Sequence, residues 1–141
     1  MKFAIDKRVA YPAELIMPKH LDDAGVDIRW GYDFDIDPGQ IVKIDTGISI
    51  DIPQGWVGMI VPRSSNNRLS LANECGIIDS TYTGNIILKL HSKFQRGKLN
   101  VFEEDKDFQL MIIPHMIHHW EQVDKIEKES TRADGGFGST N

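Results

Sequence analysis

The stretch ISIDIPQGWVGMIV, residues 48–61, decides the fold class. Its first half alternates, with three isoleucines on one face and Ser49 and Asp51 on the other, which is the two-residue period of a half-buried strand. Pro53–Gly55 then predicts a turn, because proline, glutamine and glycine in succession end a strand. Trp56–Val61 is predicted to be the returning strand of a hairpin.

The same punctuation continues along the chain. Short apolar runs separated by Gly, Pro, Asp and Asn predict strands at Gly25–Trp30, Ile41–Ile44, Asn85–Leu90 and Gln109–Ile113. Many short strands at such spacing are typical of an all-β sandwich or barrel. We therefore expect an all-β fold with little helix.

Two segments are predicted to be helical. Ser64–Ala72 begins with a serine that could cap a helix and has apolar residues three apart. In Pro114–Lys128, Met116, Trp120 and Val123 would share one helical face. An extended conformation of this second segment also fits its pattern.

Composition limits the class of function. The 141 residues suit one domain, and 40% of them are hydrophobic, enough for a core. The net charge of −5 makes non-specific nucleic-acid binding a poor prediction, although a few well-placed cations could still bind a small anion. No apolar run approaches the ~20 residues of a membrane span, and the single cysteine excludes an internal disulfide. We expect a cytoplasmic protein (in the host cytoplasm if it is viral), with a β domain over 1–129 and a flexible glycine-rich tail over 130–141.

The segment PRSS, residues 62–65, is a candidate anion site. Arg63 offers a fork of donors, Ser64 and Ser65 offer hydroxyls, and free backbone N–H groups at a helix start would add to them. An ordinary capped helix start explains the segment equally well. Two further segments, residues 23–28 and the strand containing Gln109, also have ordinary explanations as a turn and as a solvated strand residue.

The segment NECGIIDSTYTG, residues 73–84, predicts a tight hairpin that places a carboxylate, Asp79, near an aromatic ring, Tyr82. An ionised carboxylate within hydrogen-bond reach of a water could serve as a general base. The more common use of such an aspartate is to cap backbone N–H groups in a turn.

The tail RADGGFGST, residues 132–140, combines glycines, an arginine and one aromatic residue. Glycine N–H groups can wrap a phosphate, and a phenylalanine ring offers a face on which a base stacks. A disordered end is the alternative, but this composition favours a ligand-binding tail.

These five segments, in this order, resemble the five motifs of the trimeric dUTPase family, from about Asp22 to Asn141. The segments Gly76–Gly84 and Gly135–Thr140 are the most specific part of the resemblance. It implies a dUTPase-like β-sandwich, also described as a distorted jelly roll or β-clip, that forms a homotrimer. It also implies Mg²⁺-dependent hydrolysis of dUTP to dUMP and pyrophosphate. Each site would combine Asp79 of one subunit with the tail of another.

The resemblance also implies roles for individual residues. Asp79 matches the carboxylate that activates the attacking water, and Tyr82 matches the ring that packs under the deoxyribose. The expected uracil-binding residues are Asn73, Gly76 and Ile77. The expected phosphate-binding residues are Arg63, Ser64, Ser65 and Gln109, with Asp27 near the water-coordinated metal. In the tail, Arg132 would contact the γ-phosphate, Phe137 would stack on uracil, and Gly138 and Ser139 would close over the phosphates.

Several residues depart from the family pattern. Thr81 and Thr83 stand where Asp and Arg are frequent, and Ser65 replaces a glycine. The fourth motif departs most, with Glu104, Lys106, Asp107 and Phe108 where Gly, Arg, Ile and Ala are expected; in the tail, Ala133 and Asn141 replace glycines. Such divergence suits a viral or phage enzyme.

Three alternatives remain open at this stage. A dCTP deaminase, which shares the fold, is suggested by the run from Arg63 to Arg68, but that family needs a glutamate where this chain has Lys89. A dUTPase-fold protein could serve mainly to bind a regulator. A metal site built on His115, His118 and His119 is also conceivable, although no cysteine or carboxylate completes it and packing roles are favoured.

Overall fold

The structure, a computed structural model, describes residues 1–127. These residues form twelve strands and no helix. In chain order the strands are β1 Lys2–Ile5, β2 Glu14–Ile16, β3 Gly25–Arg29, β4 Phe34–Ile36, β5 Val42–Asp45, β6 Ile48–Asp51, β7 Trp56–Pro62, β8 Leu69–Leu71, β9 Gly76–Ile78, β10 Ile87–Ser92, β11 Leu99–Val101 and β12 Phe108–Pro114. Within this range nothing helical has the length and apolar character needed to cross a membrane.

The strands pair into four antiparallel sheets. The largest has the order β2-β3-β12-β7-β9, and a three-stranded sheet has the order β5-β10-β8. Two smaller pairs, β1-β6 and β11-β4, complete the described fold. The predicted all-β fold class is therefore confirmed.

Alternating apolar residues from these sheets meet in one core. The predicted face of Ile48, Ile50 and Ile52 is buried, as are Leu88 and Leu90 on β10. In β10 the intervening Ile87 and Lys89 are exposed, so the two-residue period separates core from surface.

The pairing of the decisive stretch differs from the prediction. A turn does form there, because the Trp56 N–H donates to the Pro53 carbonyl at 3.1 Å. However, β6 pairs with β1, whereas β7 pairs with β12 and β9, so the turn carries the chain from one sheet to another. The predicted hairpin between these two strands is therefore wrong.

The predicted tight hairpin over residues 73–84 is also not a paired one. β9 pairs with β7, while β10, the next strand, pairs with β5 and β8. A turn nevertheless joins them, since the Tyr82 N–H donates to the Asp79 carbonyl at 3.0 Å. The carboxylate and the ring are kept in one turn, as the sequence suggested.

The predicted helix over Ser64–Ala72 is wrong. The Asn66 side-chain oxygen accepts hydrogen bonds from the backbone N–H groups of Arg68 at 3.2 Å and Leu69 at 3.1 Å. Such local side-chain bonds compete with helix formation. The chain then enters β8, where Leu69 and Leu71 are both buried with the period of a strand.

The predicted helix over Pro114–Lys128 is not formed in the described part, which ends at residue 127. β12 stays extended through Pro114, and the His115 N–H continues this direction by donating to the Gly55 carbonyl at 2.9 Å. Met116 and Trp120 are highly exposed. Without a surface to pack on, a short isolated helix is only marginally stable.

The buried hydroxyl of Thr46 tests the fold. It donates to the Ile86 carbonyl at 2.8 Å and accepts the Ile48 N–H at 3.1 Å, which ties β6 to the residue before β10. Thr46→Val should lower the free energy of unfolding by about 1–3 kcal/mol, because it leaves the buried Ile48 N–H without the hydroxyl that accepts it. Denaturant titration measures this, with the exposed Thr81→Val as control. An equal effect of the two substitutions would contradict the assignment.

Candidate active site

A cavity of about 670 Å³ is lined by residues of β3, β12 and the segment after β7. The predicted residues Asp27, Arg63, Ser64 and Gln109 all line it. The strand order explains this convergence, because Gln109 of β12 pairs with Asp27 on one side and with Val61 of β7 on the other. We call this cavity the phosphate pocket; Ser65 is exposed beside it.

Three charged side chains of the phosphate pocket, Arg63, Lys106 and Asp27, are already paired with one another. Arg63 Nε lies 2.8 Å from Asp27 Oδ1, and Lys106 Nζ lies 3.9 Å from Asp27 Oδ2. The Arg63 guanidinium also donates to the Lys106 carbonyl at 3.1 Å. Because its side chain remains 31% exposed, Arg63 is oriented but still accessible to an anion.

The side chain of Gln109 occupies space that is left free by Gly25. Its side-chain amide donates to the Pro62 carbonyl at 3.2 Å, next to Arg63. A Cβ atom added to Gly25 would lie 2.0 Å from Gln109 Oε1. The glycine of the first motif therefore leaves the space in which the Gln109 side chain crosses from β12 toward the pocket.

The donor set of the phosphate pocket suits an outer contact with Mg²⁺. Residues 1–127 contain no cluster of three or more His, Cys, Asp or Glu side chains that could hold a metal ion. Mg²⁺, however, commonly binds through one or two carboxylates and substrate phosphates while keeping several waters. Since both Asp27 oxygens face cations, contact through water fits Asp27 better than a direct bond.

A second, smaller cavity of about 220 Å³ lies beside β9. We call it the nucleoside pocket, and the predicted residues Asn73, Gly76, Ile77, Asp79 and Tyr82 all line it. A sharp turn before β9 shapes one wall, in which the Asn73 side chain donates to the Cys75 carbonyl at 3.1 Å. The pocket thus joins main-chain groups, an exposed carboxylate and an aromatic ring.

The Tyr82 ring is fixed by its own turn. Its hydroxyl donates to the Asn85 carbonyl at 2.6 Å, and a Cβ on Gly84 would lie 2.7 Å from that hydroxyl. The Asn85 side chain in turn donates to Asp6 Oδ2 at 3.1 Å. Hydrogen bonds from the side chain and backbone of Arg8 and from Asn85 lower the pKa of Asp6, which keeps it ionised.

The register of β7 separates the two pockets within one chain. Ile78 pairs with Gly58, so Asp79 is level with Val57. Arg63 lies six residues farther along the same strand direction, which corresponds to about 20 Å at roughly 3.3 Å per residue. Asp79 and Arg63 of the same chain therefore lie too far apart to contact one phosphate group.

The dUTPase family model matches residues 11–141 of this chain.

The chain belongs to the dUTPase family.

Named relatives agree with this assignment. A deoxyuridine 5'-triphosphate nucleotidohydrolase of Escherichia phage T5 is 38% identical over 130 residues, covering 84% of this chain and 86% of the relative. The corresponding protein of Cutibacterium acnes is 33% identical over 129 residues, covering 88% and 84%. The structure of the Staphylococcus bacteriophage 80alpha dUTPase with dUPNHPP has a TM-score of 0.80 and 25% identity, covering 99% of this chain and 97% of that one.

Some predicted positions of this dUTPase-family chain lie outside the described residues. They are the tail residues Arg132, Phe137, Gly138 and Ser139, whose roles stay predictions. The three histidines of residues 115–119 are described and are exposed. His118 lies edge-on to Trp120 with ring centroids 4.9 Å apart, but both side chains are exposed, so the packing role stays a prediction.

Three contributors to the dUTPase-family site were not predicted from the sequence. Lys106 lines the phosphate pocket, Gly25 makes room for Gln109, and Gly84 makes room for Tyr82. Lys106 was noted only as a departure, although a lysine where an arginine is expected keeps the charge. The sequence does not distinguish the two glycines from ordinary turn glycines, because glycine is common in turns beside strands.

Proposed function

We propose that this protein is a dUTP diphosphatase, which hydrolyses dUTP to dUMP and pyrophosphate. The carrying observation is the nucleoside pocket, where Asn73, Gly76, Ile77, Asp79 and Tyr82 converge in a chain of the dUTPase family. The names of the phage and bacterial relatives support this activity.

The nucleoside pocket would select both base and sugar. The turn at Asn73 and the start of β9 at Gly76 would present main-chain groups to the edge of uracil. A thymine methyl would clash with this narrow pocket, and cytosine would leave polar groups unpaired, which sites of this kind penalise strongly. Tyr82, held against Gly84, would pack under the deoxyribose and leave no space for a 2′-hydroxyl.

The chemical step would be an in-line attack of water on the α-phosphorus. The exposed carboxylate of Asp79 would accept the proton of the attacking water, as a general base within hydrogen-bond reach. Ser64 would donate a hydrogen bond to the α–β bridging oxygen as the P–O bond breaks and pyrophosphate leaves. Arg63 and Gln109 would hold the remaining phosphates.

A bound Mg²⁺ would neutralise part of the triphosphate charge and favour one conformation of the phosphate chain. Asp27 would contact it through water from the wall of the phosphate pocket. From the tail, Arg132 would contact the γ-phosphate, Phe137 would stack on uracil, and Gly138 and Ser139 would close over the phosphates and exclude other water.

We further propose that the protein is a homotrimer with three shared sites. A general base must lie within one water of the reacting phosphorus. The separation of about 20 Å between Asp79 and Arg63 along β7 supports a site in which these two residues come from different subunits. Closed cyclic symmetry repeats such a heterologous contact and gives every site the same composition.

The substrate assignment predicts a specific set of products. With Mg²⁺, the protein should convert dUTP to dUMP and pyrophosphate much faster than it acts on dTTP, dCTP or UTP. Chromatography of the nucleotides, with a separate ammonia assay, identifies the products. Ammonia released from dCTP, with dUTP left intact, would establish a deaminase instead. A deaminase would need a glutamate at the position of Lys89, which lies on the exposed face of β10.

The base assignment predicts the effect of Asp79→Asn. The amide keeps the size of the side chain but cannot accept the proton, so kcat should fall by about 10²–10⁴-fold. Binding of a non-hydrolysable dUTP analogue should change little. The exposed Asp37→Asn is the matched control and should keep the parental rate. Near-parental hydrolysis by Asp79→Asn would show that another group is the base.

A further inference from the structure

A buried carboxylate lies directly behind the phosphate pocket. Asp107 is 4% exposed, which is rare for a carboxylate. Its oxygens accept hydrogen bonds from Arg68 Nε at 2.9 Å, from an Arg68 terminal nitrogen at 2.9 Å and from Trp30 Nε1 at 2.8 Å. A charge so deeply buried is tolerated only when it is paired and hydrogen-bonded.

Arg68 joins this carboxylate to the chain before it. Its guanidinium also donates to Asp105 Oδ2 at 2.7 Å and to the Asn100 carbonyl at 3.4 Å. The hydrogen bonds to Asp107 are the main cause that raises the pKa of Arg68, so the arginine stays charged. Burial acts to raise the pKa of Asp105, but the hydrogen bonds from Arg68 and from the Phe102 N–H outweigh this effect. The net result is a lowered pKa, so this carboxylate stays ionised as well.

The loop before β12, which contains Asp107, also fixes the backbone of the phosphate-binding segment, Arg63–Ser65. The Arg63 N–H donates to the Asp107 carbonyl at 2.9 Å, and its guanidinium donates to the Lys106 carbonyl. At the other end of the segment, the Asn66 N–H donates to the Arg63 carbonyl at 3.0 Å, and Asn66 accepts the Arg68 N–H. The segment thus lies between two attachments to Asp107, one through Arg63 and one through Arg68.

We infer that Arg68 and Asp107 are positioning residues that set the phosphate-binding segment and Gln109 for the β- and γ-phosphates. This inference rests on the proposed hydrolysis of dUTP and deepens it. Asp107 is two residues before Gln109, and Arg68 is three residues after Ser65. The ion pair therefore links these two parts of the site, although Arg68 and Asp107 are 39 residues apart in the sequence.

The decisive variant removes both charges together. Arg68→Met alone would leave a buried carboxylate unpaired, and the protein could fail to fold for that reason alone. In Arg68→Met with Asp107→Asn, neither charge is buried unpaired, and the amide oxygen can still accept the Trp30 N–H. Apolar or neutral replacements of a buried ion pair are often tolerated in stability, so the thermal midpoint should stay close to that of the parent.

A positioning role predicts a selective loss. kcat/KM for dUTP should fall by about 10–100-fold, the usual effect of losing an outer positioning contact. The inhibition constant of dUMP should stay within about twofold of the parental value. The reason is that dUMP lacks the β- and γ-phosphates and so does not use the contacts that the double variant disturbs. Arg68→Lys, which keeps the charge but not the two-pronged contact, should lie between parent and double variant.

The matched control is Lys98→Met with Asp35→Asn, which removes a half-exposed ion pair between the residue before β11 and β4 and should leave both quantities unchanged. Parental kinetics in a normally folded double variant would overturn the inference and leave the pair a structural role only. Equal losses for dUTP and dUMP would also overturn it. If the double variant does not fold, Arg68→Lys decides by the same comparison. Failure of the parent itself to hydrolyse dUTP would instead refute the proposed function.

Discussion

The antiparallel pairing of β7 with β9 on one side and β12 on the other fixes the separation of the two pockets. The phosphate-binding segment leaves the end of β7, while Asp79 follows the strand that pairs near its start. Backbone hydrogen bonds set this register, and a slip of one residue would move each side chain to the opposite face. The distance between the two pockets is therefore a property of the fold, and our account of shared sites depends on it.

Charge organisation in the phosphate pocket follows from the same strand order. Asp27 and Gln109 are brought beside Arg63 because β3, β12 and β7 are neighbours. Behind them lies the buried ion pair of Arg68 and Asp107. Carboxylates hold the cationic side chains in place, so the region has little net charge. An acidic protein can present a binding site for a triphosphate in this way.

Local patterns predicted what is local. The alternation at Ile48, Ile50 and Ile52 identified a strand and its buried face, and Asp79 with Tyr82 was correctly placed in one turn. Partners distant in sequence were not predictable, so β6 was assigned to β7 although it pairs with β1. Strands as short as β8 and β9, three residues each, carry too few alternations to be recognised.

The helical prediction for Pro114–Lys128 failed for a related reason. A period is informative only if one face finds something to pack against, and Met116 and Trp120 remain exposed. The site was predicted mainly through its resemblance to a family, which named Asp27, Arg63 and Gln109 without explaining their proximity. Asp107 seemed a degraded motif residue, because its compensating partner, Arg68, is recognisable only once the chain is folded.

The most direct test of shared sites combines two inactive chains, Asp79→Asn and Arg63→Gln. They are unfolded together, refolded as a mixture and assayed for dUTP hydrolysis, with mixed trimers confirmed by native mass spectrometry. If base and phosphate-binding residues come from different subunits, random assembly restores about a quarter of the sites and therefore about a quarter of the parental activity. If mixed trimers form and activity stays at the level of the separate variants, the sites are not shared and the account is wrong.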